Sequence, residues 1–264
     1  MADIAVLIPH YNAFDSLIKS IKSIDDVINI DLVIVDDGSD QPLKKDDFDF
    51  FKYGKVKSIN LKKNQGIENA LNSGLKEIVK NKYTFTARLD CGDSCLKNRF
   101  SKQIDFLKEN LKIQLIGSSV NIVDENGRFL YRLNNPENHK KIRKKMFLNT
   151  MFVHPSVCFR TNIICEIGYY PVNYPAAEDY ALFFKIVSSF KTANLPEVLL
   201  NYELNQKSIS STKRKTQVKS RVRIILDNFY FGFYPIYGLI RNLLLLLVSR
   251  NVTTALKKAM YKKW

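Results

Sequence analysis

A chain of 264 residues with 45% apolar and 25% charged residues has the make-up of a globular protein, either one large domain or one domain with an appendage. Its four cysteines (Cys91, Cys95, Cys158, Cys165) show neither zinc-ribbon nor Cys-x-x-Cys spacing, which argues against a metal ribbon and for the reduced, packed thiols of a cytoplasmic protein. The net charge of +15 is concentrated: residues 212–264 carry 12 Lys or Arg against one acid, Asp227, while the first 211 residues hold 29 basic and 25 acidic groups, so a polyanionic partner is to be sought at the C-terminal end.

Asp3 precedes a short strand-like run instead of an apolar signal segment, so no signal peptide is expected. Ile4-Ala5-Val6-Leu7-Ile8 is continuously apolar and closed by Pro9, as expected of a strand buried on both faces. Residues 16–24 place Leu17, Ile18, Ile21 and Ile24 on one face of a helix. Leu32-Val33-Ile34-Val35 is a second buried strand, residues 56–61 a third, 67–79 a helix and 83–89 a fourth strand. Such alternation predicts an α/β fold with a central, mostly parallel sheet flanked by helices. A helix over 100–110 follows, then strands over 114–123 and 129–133 around the turn Asn126-Gly127. The basic residues of 140–145 are expected on a solvated helix face. Residues 177–188 read as a helix opened by Glu178-Asp179, acids well placed at its positive end. Composition shifts near Ser211, which divides the chain into a first unit, 1–211, and a basic, apolar C-terminal helical appendage, 212–264.

The chemistry-bearing residues sit where strands end, the usual ligand edge of an open α/β sheet. Asp36-Asp37-Gly38-Ser39 is a turn with adjacent acids able to accept hydrogen bonds from a base or ribose. Asn64-Gln65-Gly66 lies directly before a helix. Arg88-Leu89-Asp90-Cys91-Gly92-Asp93 offers clustered carboxylates suited to a hard divalent cation. Glu178-Asp179 reads as a helix cap, or as a source of a general base. His154, between Val153 and Pro155, reads as structural.

Taken in order, these segments resemble the family 2 glycosyltransferases, which use the GT-A nucleotide-sugar fold. The carriers are Val6-Leu7-Ile8-Pro9-His10-Tyr11-Asn12, Val33-Ile34-Val35-Asp36-Asp37-Gly38-Ser39, Asn64-Gln65-Gly66 with Ala70-Leu71-Asn72 and Gly74, and Ala87-Arg88-Leu89-Asp90-Cys91-Gly92-Asp93. Arg99, Gln103, His154-Pro155-Ser156 and Glu178-Asp179-Tyr180 complete the series, and the resemblance covers residues 4–210. It implies a nucleotide-sugar site formed by Pro9, Tyr11, Asn12, Asp36, Asp37, Asn64, Gly66, Arg88 and Asp90. It implies Mg²⁺ or Mn²⁺ held by Asp90 and Asp93, and Asp179 as catalytic base with Glu178 beside it toward the acceptor. The implied reaction is inverting transfer from a nucleoside-diphosphate sugar, UDP first, to a hydroxyl of a lipid-linked or growing glycan in bacterial surface-polysaccharide synthesis.

Two positions depart from the family pattern. Gly92 stands where relatives carry a second metal-binding acid, and Glu203 and Asn205 stand where many have Arg and His. A weakened metal site is therefore expected, and a metal-independent or non-catalytic relative stays open as the alternative. A nucleotidyltransferase would need a glycine-rich phosphate loop after the first strand, which Pro9-His10-Tyr11-Asn12 is not.

In the appendage, residues 229–248 are long enough to span a bilayer, but Arg241 lies inside the run. An arginine there costs about 2.5–3.5 kcal/mol on insertion scales. Six basic residues over 213–223 and five over 250–263 flank the run on both sides, which favours a segment lying on the cytoplasmic face of the inner membrane over a single span. Basic groups that flank an apolar run, instead of alternating with aromatics, argue against a nucleic-acid partner.

Overall fold

The computed structural model describes residues 2–204 and 213–247. The expected shift near Ser211, Asn205, and the basic run over 250–263 therefore lie outside the described residues. Four parallel strands form the first half of the sheet: β1 (Ile4–His10), β2 (Ile30–Asp36), β3 (Val56–Asn60) and β4 (Phe85–Arg88). They are joined by α1 (Phe14–Lys22) and α2 (Ile67–Lys80). The chain builds outward from β1 to β3 and then crosses back to place β4 on the other side of β1. That reversal opens a crevice at the C-terminal end of β1. Pro9 is tolerated in this central strand because the ladder to β4 ends at Leu7, before the missing N–H is reached.

The second half of the sheet is mixed. The remaining elements are β5 (Ser94–Cys95), α3 (Arg99–Glu109), β6 (Ile113–Val123), β7 (Phe129–Leu133), α4 (His139–Lys145), β8 (Cys158–Arg160), α5 (Ile163–Ile167), α6 (Glu178–Ser189) and β9 (Lys191–Glu203). The sheet order is β3-β2-β1-β4-β8-β6-β9-β5, with β7 on the side of β6. β8 runs antiparallel to β4 and β6, and β9 runs parallel to β6. The parallel sheet read from the sequence is thus the first half, β1 to β4, and the far half turns mixed.

Strand alternation sends side chains into two cores, one on each sheet face. Ala5, Leu7, Val33 and Val35 meet α2 and α6, whereas Ile4, Val6, Ile8, Leu32 and Ile34 meet α1 and α3. Both faces are covered, so the two central strands carry the continuous apolar runs 4–8 and 32–35. Gly74 lets α2 press onto β1, since a Cβ there would overlap the Leu7 side chain. In α4, Ile142 is buried and the basic residues face solvent, as expected.

The C-terminal segment forms α7 (Arg214–Asp227) and α8 (Phe233–Leu247), both packed against the first unit. Ile224 and Ile225 of α7 enter the core that holds α2 and α6. Ser220 Oγ donates to the Pro175 carbonyl at 2.8 Å. Gly238 of α8 lies against the Phe147 carbonyl, where no side chain would fit. Arg241 donates to the Leu148 carbonyl at 2.6 Å, turned toward protein. Among the described residues no helix is long and apolar enough to cross a membrane.

Candidate active site

A cleft of about 480 Å³ opens at the C-terminal ends of β1 and β2, in the size range of ligand sites. Six residues expected in the nucleotide-sugar site line it: Pro9, Tyr11, Asp37, Asn64, Gly66 and Asp90. Asp37 has its backbone N–H on the His10 carbonyl, and its two carboxylate oxygens accept the N–H groups of Gln65 (2.8 Å) and Gly66 (2.9 Å). One carboxylate thereby fixes the turn that opens α2. Burial raises the Asp37 carboxyl above its ordinary range, and those two N–H donors oppose the rise. Gly66 has φ +93°, a conformation that favours glycine.

Three expected residues stand behind the lining. Asp36 is buried, and its Oδ1 accepts both the N–H and the hydroxyl of Ser39, which closes the strand-end turn. Asn12 takes part in a clip between the loops after β1 and β2: its N–H donates to Ser39 Oγ, and its Oδ1 accepts from Asp40 N. Arg88 is fully buried, donating to the Leu7 carbonyl and to Asp90 Oδ1, with Nε 3.3 Å from His154 Nε2. His154 also pairs with the Tyr170 hydroxyl at 2.7 Å, and burial together with the Arg88 charge holds its pKa well below the ordinary value. A neutral imidazole that accepts from Arg88 is a structural part, as its sequence context suggested.

The roles of Arg99 and Gln103 were not legible in the sequence. Arg99 is fully buried on α3 and donates to the carbonyls of Arg88 (2.7 Å) and Pro155 (2.6 Å); Gln103 donates to the Ser156 carbonyl at 2.8 Å. They lock the end of β4 to the His154–Ser156 turn, and so set the direction in which Arg88 and Asp90 point.

The two acids expected to share a metal are placed differently. Asp90 reaches the cleft, whereas Asp93 is buried and absent from the lining; its Oδ1 accepts the Glu203 N–H at 2.8 Å. Among the described residues Asp93 Oδ2 has no hydrogen-bond partner, and burial, with the Asp90 charge adding, pushes this carboxyl well above the usual range. Gly92 has φ +99°, and a Cβ there would come 3.0 Å from Glu203 Oε1. The Glu203 carboxylate occupies the space that a side chain at 92 would enter, and it pairs with Lys19 at 2.7 Å.

Glu178 and Asp179 form the first turn of α6, immediately after Pro175 and Ala176 of the cleft wall. Neither is among the cleft-lining residues, but both lie near enough to Asp90 to feel its charge. Burial, and next the Asp179 charge, push Glu178 up to about 8. Burial also raises Asp179, against which the Tyr180 N–H and the Arg221 charge act.

The Glycosyl transferase family 2 profile matches residues 5–167 of the chain. The chain belongs to this family. Among relatives, the Escherichia coli O-antigen biosynthesis glycosyltransferase WbnJ is 33% identical over half of this chain, which spans about half (52%) of that relative's length. An Escherichia coli UDP-Gal:alpha-D-GlcNAc-diphosphoundecaprenol beta-1,3-galactosyltransferase is 26% identical over 80% of this chain and 76% of its own. The structure of Staphylococcus aureus TarS 1–349 with UDP-GlcNAc superposes with a TM-score of 0.67 at 18% identity, covering 91% of this chain and 71% of that one. The fold of this family 2 member is therefore GT-A.

For the divalent ion that the family resemblance implies, the donor set fits a site with one protein carboxylate, Asp90. Among the described residues, no three His, Cys, Asp or Glu side chains converge as a metal group. Mg²⁺ commonly accepts one or two carboxylates, with substrate phosphates and waters as its other ligands.

The raised Glu178 pKa has a consequence for stability. Between about pH 4.5 and 8 the folded family 2 chain keeps this proton while the unfolded chain has lost it, so stability falls as pH rises through that window and then levels. Glu178→Gln is expected to match wild type near pH 4 and to exceed it by a few kcal/mol above pH 8. Chemical denaturation across that pH range checks this, and a constant difference would show that Glu178 titrates normally.

Proposed function

We propose that the chain is an inverting glycosyltransferase that moves a sugar from a UDP-sugar to a hydroxyl of a lipid-linked or growing glycan at the cytoplasmic face of the inner membrane. The observation that carries this reading is one cleft with Asp37 and Asp90 in its wall and Glu178-Asp179 at its Pro175–Ala176 edge. Asp37, Tyr11 and Asn64 surround the nucleoside, and Arg88 holds Asp90 toward the diphosphate end. Asp179 takes the proton of the acceptor hydroxyl while that oxygen bonds to the anomeric carbon. The bond from that carbon to the diphosphate oxygen breaks on the opposite face, and the nucleoside diphosphate leaves with the electron pair. A Mg²⁺ or Mn²⁺ ion held through Asp90 would supply charge stabilisation for that leaving group. Glu178 keeps its proton near neutral pH and can donate a hydrogen bond to the acceptor.

The membrane part of the reading is supported by α8. One side of the helix (Tyr234, Gly238, Leu239, Arg241) packs on protein, while Phe233, Ile236, Tyr237, Ile240 and Leu244 are exposed together at helical spacing, next to the fully open Phe231. Exposed Lys215, Lys219 and Arg223 on α7 suit an anionic lipid surface. The chain would be a 1–211 catalytic unit with 212–264 as its membrane-facing part.

A panel of labelled UDP-sugars, offered with phosphatidylglycerol vesicles that carry a polyprenyl-diphosphate-linked sugar, is expected to yield lipid-phase label with inverted anomeric configuration. Retained configuration, or no transfer from any donor, would refute the reaction. In the same assay, replacing Phe231, Phe233 and Ile240 by Ser should release the protein from sedimenting vesicles without changing UDP binding; unchanged sedimentation would refute the docking face.

A further inference from the structure

We infer that Lys213 is the cationic partner of the nucleotide diphosphate, so that the C-terminal segment completes the donor site. The inference rests on reading the cleft as a nucleotide-sugar site, and it lies beyond the stretch that the family profile covers. The lining carries three carboxylates, Asp37, Glu68 and Asp90, and among the described residues a single Lys or Arg, which is Lys213. An anionic ligand entering such a wall needs positive charge that is free to meet it.

The other nearby cations are committed elsewhere. Arg88 is fully buried behind Asp90 and engaged with it and with the Leu7 carbonyl. Arg99 is enclosed by backbone carbonyls, and Lys19 is paired with Glu203. His10 lines the cleft, but burial lowers its pKa and so favours the neutral ring. The Lys213 side chain is exposed and forms no hydrogen bond or ion pair with a described residue; its carbonyl accepts the Gln217 N–H of α7.

Its placement is built by packing. Lys213 directly precedes α7, whose Ser220 is bonded to Pro175 of the same cleft wall and whose Ile224 and Ile225 are core residues. Arg214 donates to the Leu245 carbonyl of α8 at 3.0 Å, which ties the start of α7 to the next helix. Lys213 therefore lines the same cleft as Asp37 and Asp90, at the positive end of a 14-residue helix. A lysine there is a point charge for a phosphate group.

Calorimetry with UDP and uridine, and with GDP and guanosine, tests the inference on the full chain. For the nucleotide that wild type binds, Lys213→Ala is expected to weaken the diphosphate about tenfold or more. The bare nucleoside should stay within about twofold, and Lys213→Arg should restore most of the loss. Equal weakening of nucleotide and nucleoside would make Lys213 a structural prop, and unchanged UDP or GDP affinity would remove it from the site; either result overturns the inference. Wild type that binds none of the four ligands would overturn the donor reading itself. Thermal melting should be the same for all variants, because the side chain is exposed.

Discussion

Asp179→Asn is expected to lower the transfer rate about a thousandfold or more while leaving UDP affinity within about twofold of wild type. Asparagine matches aspartate in shape, so the Tyr180 N–H that Asp179 Oδ1 accepts at 2.7 Å keeps a carbonyl oxygen to donate to, and α6 keeps its start. Only the ability to take a proton is lost. The neighbouring acid, Glu178, is a poor replacement, because burial, the largest cause of its raised pKa, persists in the variant even though the Asp179 charge is gone. Arg221, brought in by α7, and the Tyr180 N–H favour the ionised form of Asp179. On the proposed reading the pair would divide its roles by environment, with Glu178 neutral and Asp179, opposed in its burial by Arg221 and the Tyr180 N–H, as the base. Single-turnover rates and calorimetry on the same preparation check the expectation. Near-normal turnover in Asp179→Asn, together with an inactive Glu178→Gln, would exchange the two roles.

Arg88→Met is expected to have the second large effect, a loss of about 2–3 kcal/mol of folding stability together with loss of transfer. The guanidinium is fully buried and serves the Leu7 carbonyl, Asp90 and His154 at once. Methionine fills much of the volume but leaves the Asp90 carboxylate without its partner, while the Leu7 carbonyl and the His154 nitrogen each lose one donor and keep the Leu89 N–H and the Tyr170 hydroxyl. Asp90, freed from its partner, would no longer be held toward the cleft. Urea denaturation gives the stability change, and a loss below about 1 kcal/mol would show that the neighbouring groups find other partners. Arg88→Lys keeps the charge but not the planar fork, and should fall between wild type and Met.

The first half of the fold could be read directly because its strands are buried on both faces. Such strands appear as unbroken apolar runs over residues 4–8 and 32–35, and α2 shows its buried face as Ala70, Leu71, Leu75 and Ile78. β9 gave no such signal. It holds Pro196 and the polar Thr192, Asn194 and Asn201, which are accommodated by specific partners: Asn194 donates to the carbonyls of Pro136 and Met151, and Asn201 Oδ1 accepts from Asn121. Those partners are far away in sequence, so no local pattern marks the strand. β5, two residues long, and β8, three, are likewise strands only through what they pair with.

The sequence by itself determined the family and the strand-end positions of the acids, because short-range patterning and ordered motifs are properties of neighbours along the chain. The tertiary structure alone decided which of those acids line the cleft. Asp90 and Asp93 share one short loop, yet pairing with Arg88 points the first into the cleft, while the Glu203 N–H of distant β9 holds the second beneath it. Packing likewise brought Lys213 to the cleft and turned Arg241 away from the apolar face of α8. Where a charged side chain points is set by the donors and acceptors that burial places around it, and those come from segments that only the folded chain brings together.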